Sequence, residues 1–106
     1  MKPFHNEDMD YLFEGILTLA TKEECYAFFE DICTIKELQA MAQRFRVAWQ
    51  LRANKNYNEI QADTGASSAT ISRVNKCLLY GDGGYAIALG RLEAKEKNNG
   101  NDTETR

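Results

Sequence analysis

The residues best suited to chemistry lie in the middle of the chain. Between residues 44 and 76, Arg44, Arg46, Arg52, Lys55, Arg73 and Lys76 face only Glu59 and Asp63, a local charge of +4 in a chain of formal net charge −3. Within that stretch runs Ala66-Ser67-Ser68-Ala69-Thr70-Ile71-Ser72-Arg73, dominated by small and hydroxyl-bearing side chains. Such a set suits recognition of a polyanion: hydroxyls meet base edges and phosphate oxygens, and guanidinium and ammonium groups neutralise phosphates. Residues 1–43 carry the opposite charge, −6, from three Lys against nine Asp and Glu. A polarised chain of this kind attracts a polyanion at one part and repels it at another. Charge alone fits an evenly solvated surface equally well.

Other chemistries lack their parts. His5 is the only histidine, so no Ser-His-Asp or Cys-His arrangement has a base to build on. Glu23-Glu24 and Glu30-Asp31 are sequence neighbours, which on a helix point about 100° apart and do not pair for acid–base work. Gly81, Gly83 and Gly84 follow a helical run instead of a strand, so they read as a flexible linker and not as a phosphate loop. Cys25, Cys33 and Cys77 contain no CxxC pair and are expected to be buried free thiols, with no disulfide framework and no zinc site. Trp49 and the phenylalanines recur at helical spacing and are assigned to the core or to a dimer interface. No enzyme activity, metal or cofactor is expected. The chain has no apolar run of membrane-spanning length and no signal-peptide layout at its start, so a cytoplasmic protein without membrane association is expected.

A chain of 106 residues, 43% hydrophobic and 27% charged, suits one soluble domain. Its single proline, Pro3, leaves long helices unbroken, and the fold class predicted is all-α with six helices. The first spans Met9 to Leu19 on the spacing of Leu12, Phe13, Ile16, Leu17 and Leu19. The second opens at Thr21 with Glu24 three residues on, a capping box, and turns Cys25, Phe28, Phe29 and Ile32 inward. Thr34 and Glu37 repeat the device for a long third helix ending near Ala53. Asn56 and Glu59 resemble a third box, opening a short helix from Tyr57 to Thr64. Gly65 then suits a left-handed helix terminus and Ser67 an N-cap for a fifth helix, Ser68 to Tyr80. A sixth runs from Tyr85 to about Lys97. The ordered domain is thus expected over residues 1–97, with a disordered tail at 98–106.

The fourth and fifth helices, over about 57–80, read as a helix-turn-helix whose Ile60, Ile71 and Val74 meet between crossed helices. The outward residues, Ser68, Ala69, Ser72, Arg73 and Lys76 with Ser67 and Thr70 beside them, are the candidate DNA contacts. A sequence-specific DNA-binding transcriptional regulator is expected. The alternative is a small helical dimer that uses the same hairpin to grip another protein.

The stretch from Cys33-Thr34 through Gln43-Arg44-Phe45-Arg46, followed by Gly65-Ala66 and Ala69-Thr70-Ile71-Ser72-Arg73, resembles the Trp repressor superfamily, and residues 8–95 as a whole are similar to its YerC/YecD group. The resemblance implies a six-helix fold in which two chains interlock as a homodimer, project two helix-turn-helix units and repress from a near-palindromic double-stranded operator. It also implies a candidate effector pocket at Thr34, Arg44, Arg73, Val74 and Cys77. In the family a glycine follows the second arginine and a serine stands three residues further on; here these are Val74 and Cys77. A branched wall and a poor ammonium partner argue against tryptophan as co-repressor, leaving any small-molecule co-repressor unidentified. The alternative role for Arg44 is an ion pair with an acidic residue of a neighbouring helix.

Overall fold

The structure is a computed structural model that describes residues 3–104, with side chains described as far as residue 98. Six helices follow in order: α1 (Glu7–Leu17), α2 (Lys22–Ile32), α3 (Ile35–Arg52), α4 (Tyr57–Thr64), α5 (Ser68–Tyr80) and α6 (Gly84–Glu104). The described residues contain no strand, as an all-α chain requires.

Side-chain caps set where the helices begin. An uncapped helix start leaves its first N–H groups without partners, and a hydroxyl, amide or carboxylate oxygen supplies one. At α3 the expected box is complete: the Glu37 N–H donates to Thr34 Oγ1 at 3.1 Å and the Thr34 N–H to Glu37 Oε1 at 2.8 Å. At α4 the Glu59 N–H donates to Asn56 Oδ1 at 2.9 Å and the Asn56 N–H to Glu59 Oε1 at 3.2 Å. At α2 half of the box differs. Thr21 Oγ1 accepts from the Glu24 N–H, but the Glu24 carboxylate accepts from the Ala20 N–H at 2.7 Å, one residue earlier than expected.

Two helices have other bounds than the periodicity suggests. The first starts at Glu7 and not Met9, because Asn6 Oδ1 accepts from the Met9 N–H at 2.9 Å and Glu7, Asp8 and Asp10 complement the positive end of the helix. It stops at Leu17 because the Thr18 hydroxyl takes the Gly15 carbonyl at 2.7 Å. The last helix is helical as far as Glu104, past the end expected near Lys97, so the tail expected to be disordered from residue 98 has helical backbone over most of its length. Residues 105–106 of that tail lie outside the described residues. The Asn and Gly residues there are weak helix formers but none is a proline, and each residue added to an existing helix forms one more hydrogen bond.

The chain forms two compact units, Met1–Gln39 and Ala40–Arg106, whose boundary falls within α3. In the first unit neither α1 nor α2 buries a residue; Phe28 and Phe29 meet edge-on at 5.3 Å. The second unit holds the core: Val47 and Ala48 of α3, Ile60 of α4, Ala66 of the turn, Ile71 and Val74 of α5 and Leu89 of α6. Phe45 and Tyr85 pack against it and stack on one another at 27°. Fully burying an Ile or Val side chain contributes about 1.5–3 kcal/mol, so Val47, Ile60, Ile71 and Val74, the largest fully buried side chains, dominate this core. Gln50 is 3% exposed and its Oε1 has no hydrogen-bond partner, a buried acceptor that costs about 1–3 kcal/mol.

Hydrogen bonds from the backbone and side chain of Thr34 hold the Glu37 carboxyl below its usual range. A depressed folded-state pKa contributes stability that is present above the unfolded value and is lost as pH falls through the folded one. Acid titration followed by helical circular dichroism therefore loses stability through and below the ordinary carboxylate range. Glu37→Gln, which keeps an acceptor at that position, flattens part of the loss. An unchanged acid profile in Glu37→Gln would show that the box plays no part in it.

Candidate nucleic-acid interface

The turn between α4 and α5 is built from three side-chain and backbone devices. Gly65 takes φ 73°, a left-handed conformation that costs a residue with a Cβ about 1–2 kcal/mol, and its N–H closes α4 on the Gln61 carbonyl. Thr64 Oγ1 donates to the Ile60 carbonyl at 2.7 Å and accepts from the Ala66 N–H at 3.1 Å, bridging the helix end to the turn. Gln43 of α3 donates from Nε2 to the Thr64 carbonyl at 3.2 Å, fixing the turn against the long helix. Ala66 is buried just behind it.

Ser67 caps α5, its hydroxyl accepting from the Thr70 N–H and lying 3.1 Å from Thr70 Oγ1. Two of the candidate DNA contacts are therefore occupied in building the helix start, and Thr70 is half-buried. Ser68, Ala69, Ser72, Arg73 and Lys76 are all exposed. They form an uncluttered face of small residues with two cations later on the helix. Ile71 and Val74 face the core, as the crossed-helix reading requires.

Ion pairing divides the six cations of the basic segment. Arg52 binds the Glu93 carboxylate through two nitrogens at 2.8 and 3.0 Å, and Lys55 reaches Asp63 at 3.3 Å. The mutual hydrogen bonds raise the Arg52 pKa and lower that of Glu93. Arg44, Arg46, Arg73 and Lys76 make no ion pair with a described residue. The Arg52 pair is not legible along the chain because Arg52 and Glu93 are 41 residues apart, and no local periodicity links such positions.

The candidate effector residues are divided between the two units, Thr34 in the first and Arg44, Arg73, Val74 and Cys77 in the second. Thr34 belongs to the first unit, where its hydroxyl serves the α3 cap. Val74 is 2% exposed and packs in the core, on the stripe of α5 that also carries Ile71. Arg44 is half-buried without the ion pair considered for it, and Arg73 is exposed. Cys77 lines a cavity of about 480 Å³ with Phe45, Tyr85 and the Gly81–Gly84 loop, which contains neither arginine. The thiols are also placed otherwise than expected: Cys25 and Cys77 are exposed and Cys33 is half-buried, because the first unit buries nothing and Cys77 lies off the Ile71–Val74 stripe. Trp49, expected in the core or an interface, is 48% exposed in the single chain. No group of metal-ligating side chains occurs among the described residues, and none of their helices is long and apolar enough to cross a membrane.

A capped helix, a left-handed glycine turn and a second capped helix on an all-α scaffold define a helix-turn-helix protein. The chain belongs to the Trp repressor protein family, whose model matches residues 7–93. It is 51% identical over 90 residues to YerC of Bacillus subtilis, covering 85% of this chain and 86% of that protein, itself of uncharacterised function. Its fold matches that of a candidate Trp repressor from Staphylococcus aureus, with TM-score 0.81 and 43% identity over 84% of this chain and 89% of that one. A TrpR-like protein from Eubacterium eligens matches with the same TM-score and 48% identity, over 83% and 91% of the two chains.

The hydroxyls of the α5 face separate by role. Ser67→Ala removes a cap and lowers unfolding stability in urea by about 1 kcal/mol. Ser68→Ala and Ser72→Ala, exposed and without partners among the described residues, stay within about 0.5 kcal/mol of the parent. Equal losses for all three would refute the division.

Proposed function

We propose that this protein is a sequence-specific DNA-binding transcriptional repressor that works as a homodimer in the cytoplasm. The observation that carries the reading is the exposed face of α5, where Ser68, Ala69 and Ser72 leave room for close approach to a major groove. Arg73 and Lys76 on the same helix, with Arg44 and Arg46 on α3, are cations free of carboxylates and able to meet phosphates. Ser67 and Thr70 shape the helix start and present what remains of their hydrogen-bonding capacity to the backbone of the duplex.

Dimerisation is supported by the apolar surface that one chain leaves open. Tyr11, Phe13 and Leu17 of α1 and Tyr26 and Ile32 of α2 are exposed, Leu17 at 83%. Obligate interfaces are apolar and bury such surface. In the dimer, residues 1–97 of each chain act as one domain, and the two recognition helices stand about 34 Å apart, matching a near-palindromic operator with half-sites one turn apart. Tryptophan is not the effector in this reading, since the Val74 side chain occupies core where an indole would need an open wall.

Selection from a random DNA pool yields a near-palindromic site, and sedimentation gives a dimer at micromolar concentration. Affinity falls steeply with log[salt], and Arg73→Ala weakens binding to all sequences while reducing the salt slope by about 1. Ala69→Leu, whose side chain points to solvent and leaves the helical spectrum unchanged, abolishes binding to the selected site. Tight operator binding by a folded Ala69→Leu variant would overturn the assignment of this face. No better than millimolar affinity at low salt would instead make the hairpin a protein-binding element.

A further inference from the structure

In a helix-turn-helix the residues at the start of the second helix are the ones that reach base edges. With Ser67 as the N-cap of α5, those residues are Ser68, Ala69, Thr70 and Ser72, of which Ser68, Ala69 and Ser72 are exposed. No arginine, lysine, asparagine, glutamine or carboxylate stands among them. The side chains that select guanine, adenine or cytosine through hydrogen bonds of fixed sense are therefore missing from this turn. Arg73 and Lys76 follow later on the helix, where phosphates are the nearer partners.

The groups that remain differ in what they can discriminate. A serine hydroxyl has one donor and two lone pairs and rotates to suit its neighbour. Ser68 and Ser72, with no partner among the described residues, can meet a donor or an acceptor edge alike. Thr70 is half-buried, and its hydroxyl lies 3.1 Å from the Ser67 hydroxyl, within the helix start. Ala69 is different. Its side chain is an exposed methyl fixed to the backbone in the first turn of α5, with no rotamer to choose. Such a group gains nothing from a donor or acceptor and gains from apolar contact, and the major groove offers one apolar feature, the methyl group at C5 of thymine.

We infer that Ala69 is a specificity-determining residue that reads the C5-methyl group of one thymine in each half-site of the operator. This rests on the DNA-binding reading, in which the homodimer turns the start of α5 outward. It uses no side chain of the core and none of the apolar surface assigned to dimerisation. The hydroxyls and cations around Ala69 supply affinity and register, and the methyl contact supplies the choice of base.

The test takes the operator selected from random DNA and replaces its thymines one at a time by deoxyuridine, which removes the methyl group and keeps every hydrogen-bonding group of the base. At one thymine of each half-site the parent protein loses about fourfold in affinity, the worth of one methyl group withdrawn from water. Ala69→Gly, with an unchanged far-ultraviolet helical spectrum, binds the thymine and deoxyuridine operators equally at that position and responds as the parent does elsewhere. Ala69→Ser, a residue well suited to a helix start, places a hydroxyl where the bare methyl stood and also loses the preference, so the outcome does not depend on the folding of the glycine variant. Operator binding by the parent that ignores deoxyuridine at every position overturns the inference and leaves the DNA-binding reading standing. A thymine preference undiminished in either folded variant does the same. Absence of operator binding by the parent overturns both.

Discussion

The left-handed backbone at Gly65 is the constraint on which the exposed face of α5 depends. It reverses the chain within three residues, so that Ile60 before it and Ile71 and Val74 after it converge on one core. Thr64 holds both sides of the reversal through a single hydroxyl, and Gln43 fastens it to α3. With the inner stripe of α5 committed to that core, the opposite stripe must face outward. The small residues on it are thereby presented as a surface, and the cap at Ser67 sets where that surface begins.

Electrostatics within the second unit is arranged by removal as much as by supply. Two of the six cations in the basic segment are spent on carboxylates that brace the scaffold: Arg52 joins α3 to α6, and Lys55 ties the loop before α4 to Asp63. Surface pairs of this kind contribute little to stability. They leave Arg44 and Arg46 on α3 and Arg73 and Lys76 on α5 as the cations of the segment without an ion pair to a described residue. An acidic chain thus keeps four unpaired cations within its one basic segment.

The first unit has the reverse problem. Its helices are well started, by Asn6 and Thr21, yet α1 and α2 bury none of their residues. Short isolated helices are marginal in water, where tertiary packing of an apolar face supplies most of their stability. Among the described residues, the seven buried apolar ones all lie in the second unit. The exposed Tyr11, Leu17, Tyr26 and Ile32 are the surfaces that must be covered for α1 and α2 to persist in solution.

Local chemistry by itself determined the helix count, the starts of α3, α4 and α5, and the turn, because caps, capping boxes and a left-handed glycine act over four residues or fewer and are written in consecutive positions. The family was legible for the same reason, in the order of Arg44, Gly65 and the Ala69–Arg73 run. The start of α1 was legible too, in Asn6 and the acids after it, had the capping signal been weighed above the apolar spacing. Only the tertiary structure decided which cations remain free, since the Arg52–Glu93 pair spans most of the second unit. It alone placed Val74 in the core, exposed Cys25 and Cys77, and turned Trp49 toward a cavity between α3 and α6. Burial and pairing are properties of what faces a residue from another element, and neither spacing nor composition along the chain carries that information.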